Sequence, residues 1–228
     1  MVVQVNNVTK RYKQNRGVNQ ASFTLHNGEI IALVGANGAG KSTLIQLLIK
    51  QIKPDTGEIV WQDNEELRYM PDDLAFPEAL TAEEILHLLG NLKKVSKERQ
   101  HIILKEVGLF EAKELKVGQF SKGMRQRLNL AQSMMGEGSL FILDEPTNGL
   151  DPYWIAQLKK VLLHEKQNGQ IVLFSTHLLS LAEEIADSVI LLNDGEILAT
   201  GTISSLLERE NCTNLEQVWL KLTKKEGL

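Results

Sequence analysis

Residues 35–43 read Gly35-Ala36-Asn37-Gly38-Ala39-Gly40-Lys41-Ser42-Thr43. Gly35, four intervening residues, then Gly40, Lys41 and Ser42 fit the spacing of a phosphate-binding P-loop. The apolar run Ile30 to Val34 before it reads as a buried strand, and the run from Lys41 to Lys50 behind it reads as a helix. That strand–loop–helix setting separates the motif from an ordinary glycine-rich turn. Glycines let the backbone curl so that N–H groups point inward at a phosphate, and the helix N-terminus adds partial positive charge. In such a loop Lys41 reaches the β- and γ-phosphates and the Ser42 hydroxyl takes Mg²⁺.

The rest of the chain bounds the class. Its 228 residues suit one domain, or one domain with a subdomain. The net charge is −4 and no dense basic run occurs, which argues against nucleic acid as a partner. One cysteine, Cys212, excludes an internal disulfide and suits a reducing compartment. No apolar run approaches the roughly 18 residues of a membrane span, and the first residues lack the pattern of a signal peptide. The expectation is a soluble, cytosolic chain whose membrane role, if any, runs through a partner.

Upstream of the loop, residues 2–8 and 21–25 alternate weakly as strands, with Lys10-Arg11-Tyr12-Lys13 between them. Tyr12 is either a surface tyrosine at a strand end or a platform for a purine ring. Downstream, residues 58–61 and 67–70 read as short strands and Pro71-Asp72-Asp73 ends that region. From there to about 138 the pattern turns helical. Thr81 and Glu84 form a capping box ahead of Ile85, Leu88, Leu89 and Leu92. Ser96 opens a helix with Ile102, Ile103 and Val107 inside, and Ser121 caps another over 122–135. His87, His101 and His164 have no companion at metal-ligand spacing and read as surface or packing residues.

The stretch Leu140-Phe141-Ile142-Leu143 then ends in Asp144 and Glu145. In a parallel sheet this delivers both acids to the carboxyl edge, where ligands sit in open α/β folds. Asp144 suits Mg²⁺, directly or through water, and Glu145 suits a water-activating base. Asp151 caps a helix with Pro152 at its first position. Residues 171–174 form a further buried strand ending in Ser175-Thr176-His177. Residues 189–199 form a hairpin, and two short helices follow near 202–210 and 214–222, the second capped by Asn214 with Gln217.

The run Phe120-Ser121-Lys122-Gly123-Met124-Arg125-Gln126-Arg127 narrows the reading. Taken with the P-loop, Leu143-Asp144-Glu145-Pro146, Asn148-Gly149-Leu150-Asp151 and His177, it resembles the ATP-binding subunit of ABC transporters over essentially the whole chain. The family signature is Leu-Ser-Gly-Gly-Gln; this chain keeps Ser121 and Gly123 and is similar to the variant of the ABC-2 exporter branch and its relatives, including copper-site maturation systems.

The resemblance implies an α/β P-loop NTPase core over about 1–70 and 139–228. To this it adds an antiparallel β-flank and an inserted α-helical subdomain over about 71–138. It implies ATP and Mg²⁺ as cofactors, and a head-to-tail homodimer or heterodimer in which Ser121 and Gly123 of one subunit close over ATP on the other's P-loop. Tyr12 then matches the adenine-stacking aromatic, His177 the histidine on the γ-phosphate, and Asp151 the acid that faces across the dimer. A separate integral membrane subunit would carry the transport path and place this chain at the cytoplasmic face of the cell membrane. It would dock near 73–92, where Leu74, Phe76 and Pro77 form an apolar stretch between acids, unless these residues pack the subdomain.

Two departures stand out. The segment between Trp61 and Leu67 is short, so a strand hairpin there would be trimmed. Asp72 occupies the position of the Mg²⁺- and coupling-linked glutamine; it either meets the metal or caps the turn beside Pro71 and faces water. The other functional class is a non-transport ABC-type ATPase on DNA or ribosomes, which usually carries tandem cassettes, coiled-coil arms or basic extensions that this sequence lacks. A nucleotide-binding regulator without hydrolysis is disfavoured by Lys41, Asp144, Glu145 and His177 occurring together.

Overall fold

Three apolar runs with no polar alternation become the central strands of a parallel sheet, because a strand covered on both faces needs apolar residues at every position. They are β3 (Ile30–Val34), β6 (Leu140–Leu143) and β7 (Ile171–Thr176), and every residue in them is buried. The computed structural model describes residues 2–13, 16–62 and 66–224. In chain order its other strands are β1 (Val2–Arg11), β2 (Gly17–His26), β4 (Thr56–Trp61), β5 (Leu67–Met70), β8 (Ser188–Asn193) and β9 (Glu196–Thr202). Its α-helices are α1 (Lys41–Leu48), α2 (Ala82–Leu92), α3 (Lys97–Glu106), α4 (Lys122–Met134), α5 (Pro152–Gln167), α6 (Leu179–Ile185), α7 (Ile203–Glu210) and α8 (Leu215–Lys224).

The large sheet has the order β5-β6-β7-β3-β8-β9, parallel throughout except for the β8–β9 hairpin. A separate three-stranded antiparallel sheet has the order β2-β1-β4. The large sheet divides two cores. Ile31 and Leu33 of β3, with Ile142 and Leu173, join the core shared with α1 and the antiparallel sheet. Ala32 and Val34, with Phe141 and Phe174, join the core shared with α2–α5. At about 25 cal/mol per Å² of apolar surface, this two-sided burial is the dominant stabilising term.

The expected helix starts are formed by their own side chains. Thr81 and Glu84 bond reciprocally, and Ser96, Ser121, Asp151 and Asn214 each accept a backbone N–H three residues on.

Several expectations need correcting. The strands at 58–61 and 67–70 do not form a hairpin: β4 pairs with β1, while β5 runs parallel to β6 in the other sheet. Residues 63–65 of the trimmed segment lie outside those described. Leu88 and Leu92 point outward, 57% and 76% exposed, while Ala82, Ile85 and Leu86 face the core. Ile102 is exposed where Ile103 and Leu104 are buried. Phe76 is buried in the helical-side core and Leu74 packs against it, while Ala75 and Pro77 between the acids stay exposed.

Candidate active site

Strand register brings the site together. Val34 pairs with Thr176 and Leu143 pairs with Phe174. The residues that follow β3, β6 and β7 therefore leave the sheet at one carboxyl edge. They are the P-loop, the Asp144-Glu145 pair and His177. Asp72 joins them two residues beyond Met70, which pairs with Leu143.

The P-loop enters α1 through Gly40, whose φ of 109° lies where side-chain-bearing residues are strained. A cavity of about 740 Å³ opens over the loop. Tyr12, Asn37, Gly38, Gly40, Lys41, Ser42 and Thr43 line one side, and Asp72, Asp144 and Glu145 line the other. Gly35 and Ala39 lie beneath the surface: the Gly35 carbonyl accepts from Lys41 Nζ at 2.7 Å, and the Ala39 carbonyl accepts from Gly195 N at 2.9 Å. Tyr12 is 44% exposed at the rim, free to offer a ring face.

Glu145 is the most constrained residue of the site. Its φ is +44°, an uncommon conformation for a residue with a side chain, and one that costs on the order of 1–3 kcal/mol. Its backbone N–H donates to Ser175 Oγ at 2.8 Å and its carbonyl accepts from Gln126 Nε2 at 3.3 Å. Oε2 lies 3.0 Å from His177 Nδ1; a carboxylate oxygen only accepts, so that nitrogen carries the proton. Oε1 lies 3.1 Å from Lys41 Nζ without the alignment of a hydrogen bond. Both side chains of this ion pair are nearly fully buried.

Asp144 accepts from Ser175 Oγ at 2.5 Å. Burial holds its carboxyl above the usual aspartate range. Asp72 and Glu145 push the same way, while the Ser175 hydroxyl and Lys41 oppose. The Tyr69 hydroxyl is likewise pushed up to about 12, first by burial and then by Asp144 and Asp72. Asp72 itself is exposed and accepts from Asn148 Nδ2 at 2.6 Å.

A divalent cation fits this donor set. Ser42, Asp144 and Asp72 present only oxygen to the cavity, and the raised Asp144 marks negative charge that a hard cation would relieve. Among the described residues no group of three or more His, Cys, Asp or Glu is placed to hold a metal alone. Phosphate oxygens would have to complete the coordination, as is usual for Mg²⁺.

The remaining predicted residues lie elsewhere. Ser121 caps α4 through Met124 N, Asp151 caps α5 through Trp154 N, and neither they nor Gly123 line the cavity. The site also uses residues the sequence reading passed over. Ser175 links the two acids, Gln126 holds Glu145 from α4, Asn148 holds Asp72, and Arg16 and Gly17 line the rim beside Tyr12.

A P-loop facing an aspartate–glutamate pair at the carboxyl edge of a parallel sheet defines a P-loop NTPase. Comparison with known proteins narrows the class. The model of the ABC transporter family matches residues 18–148. The ABC-type transporter ATP-binding protein EcsA of Bacillus subtilis (strain 168) is 36% identical over 242 residues, covering 99% of this chain and 98% of that one. The SkfA peptide export ATP-binding protein SkfE of the same organism is 38% identical over 209 residues, covering 86% and 87%. A solved structure described as an ATP-binding subunit of an ABC transporter superposes with a TM-score of 0.88 at 30% identity, covering 98% of this chain and all of that one. This chain belongs to the ABC transporter ATP-binding family and is an ATPase subunit of such a transporter. No helix among the described residues is long and apolar enough to cross a membrane.

Asp144→Asn tests the electrostatic account. Asn keeps an acceptor for Ser175 and removes the buried charge. A carboxyl whose pKa is raised on folding loses stability as pH rises from its ordinary 3.8 through the raised value. The nucleotide-free variant should therefore exceed the wild type in unfolding free energy from urea titration at pH 7, by roughly 1 kcal/mol. The two should converge as the pH is lowered toward 4. A variant less stable than wild type at pH 7 would contradict the account.

Proposed function

We propose that this chain binds MgATP at residues 35–43 and hydrolyses it with Glu145 as the general base, and that the nucleotide is completed by a second subunit. The observation that carries this is the meeting of Lys41 and Glu145 over the P-loop cavity. The lysine suited to the β- and γ-phosphates and the acid suited to a water stand on either side of one reacting position.

Glu145 Oε1 leans on Lys41. Phosphate oxygens would take Lys41 over and turn Oε1 toward the cavity, while His177, Ser175 and Gln126 keep the rest of Glu145 in place. Oε1 then accepts the proton of the attacking water. His177, half exposed at the edge, contacts the γ-phosphate. Tyr12 stacks on adenine and the P-loop N–H groups of Asn37 to Thr43 cradle the phosphates. Ser42, Asp144 and Asp72 hold Mg²⁺, which when bound neutralises phosphate charge.

Ser121, Gly123 and Asp151 serve the nucleotide of the other subunit. That none of them lines this cavity supports the split, as does the exposure of Ser121 and Asp151 at two helix N-termini. The second subunit is another copy or a related chain. A separate integral membrane subunit docks on the helical lobe, taken as residues 71–138, and holds the chain at the cytoplasmic face. The seat is a cleft of about 360 Å³ lined by Asp73, Leu74, Ala75, Lys122 and Arg125. Likeness to SkfE favours an exporter.

Glu145→Gln should bind ATP as the wild type does and hydrolyse it about 10²–10⁴-fold more slowly. With ATP persisting between subunits, the variant should dimerise in light scattering. Near-normal turnover would contradict the assignment.

Asp72→Gln separates a metal contact from a solvated cap. Loss of a charge beside the cation site should move half-maximal ATPase activity to higher Mg²⁺ while leaving the maximal rate close to wild type. Superimposable Mg²⁺ curves would show that Asp72 never meets the metal.

A further inference from the structure

Arg127 makes a set of contacts that the chemistry above does not use. It lies on α4, six residues past Ser121, or about 9 Å along the helix axis. Its guanidinium carbon sits 4.1 Å from the ring centroid of Trp154. Nη1 donates to the carbonyls of Val107 and Gly108 at 2.9 and 2.8 Å. Nε is buried with no hydrogen-bond partner. A guanidinium drawn into such a place, with one donor unsatisfied, is held there by its other contacts.

Trp154 is the other half. It lies three residues past Asp151, and its N–H makes the hydrogen bond to Asp151 Oδ1. Its ring lies so close over Gly108 that a Cβ there would fall 2.0 Å from Cη2. The start of α4 also meets the turn that leads into α5, where a Cβ on Gly123 would meet the Gly149 carbonyl at 2.8 Å. Ser121 and Asp151 thus project from helix starts linked by the Arg127–Trp154 contact and by this turn. Stacking of a planar cation on a ring, with both carbonyl bonds made by one nitrogen, fixes angle as well as distance.

We propose that Arg127 and Trp154 are positioning residues that set the spacing between Ser121 and Asp151, so that both meet a second subunit's nucleotide as one preformed surface. This rests on the split-site reading given above. The clamp acts in trans: the subunit that carries it binds its own ATP without it. Preforming the surface removes the ordering cost from the closing step, so the clamp strengthens ATP-driven dimerisation.

The test uses the full chain in the Glu145→Gln background, with ATP and with dimerisation followed by light scattering against protein concentration. Trp154→Leu and Arg127→Lys should bind ATP as monomers within about twofold of the parent and require about tenfold more protein to dimerise. Trp154→Phe, which keeps a ring for the guanidinium, should dimerise within about threefold of the parent. Parent-like dimerisation of Trp154→Leu would overturn the proposal, as would loss of monomer ATP binding in that variant while folded. Should Trp154→Leu fail to fold, Arg127→Lys decides by the same criteria. Ser121→Arg run alongside separates the two readings: if it dimerises normally, the split site itself is wrong. If it is defective beside a parent-like Trp154→Leu, only the clamp is wrong.

Discussion

The constraint on which the rest depends is the parallel register of β3, β6 and β7. The parallel register sets Val34, Leu143 and Thr176 at one edge, and a slip of one residue in any strand would turn its side chains to the other core. Because each of these strands is buried on both faces by different residues, the register is strongly specified. The sheet thereby fixes where Lys41, Asp144, Glu145 and His177 stand before any ligand arrives.

What stands there costs stability. Glu145 has an uncommon backbone conformation, Asp144 is a buried carboxyl with two others near it, and the Lys41–Glu145 pair is out of water. Buried ion pairs and strained residues persist only where surrounding contacts over-determine them. Here Ser175, Gln126 and His177 supply those contacts from β7, α4 and the turn after β7. Since Gln126 lies on the helix that Ser121 caps, Glu145 and Ser121 are tied to one rigid element. Arg127, the next residue, ties that element to α5. Glu145, Ser121 and Asp151 therefore share a short run of α4 contacts.

Much of the site was legible in the sequence because its motifs are local. The P-loop spacing, the acid pair closing an apolar run and the five helix caps each lie within a few residues. Their chemistry does not depend on what packs against them. The relations that were missed are tertiary. Ser175 looks like filler in an apolar strand until register puts it between Asp144 and Glu145. Two short strands close in sequence suggest a hairpin, yet β4 and β5 go to different sheets. Helical periodicity in α2 marked Leu88 and Leu92 as inward along with Ile85 and Leu89, but the buried stripe is rotated toward Ala82, Leu86 and Gly90, which leaves the first two exposed. The helix α6 lacks a side-chain cap and spans only seven residues, so nothing local announced it.

The central claim is that the cavity over the P-loop is half a site. Its own wall carries the lysine, the base and the metal-binding oxygens, and it is open toward solvent where Ser121 and Asp151 of this same chain do not reach. The most direct measurement is ATPase activity per subunit of the purified wild-type chain as a function of its concentration at saturating MgATP. The account predicts activity per subunit that rises with concentration and levels off once dimers dominate. Activity per subunit that is constant down to dilutions where scattering shows only monomer would contradict it.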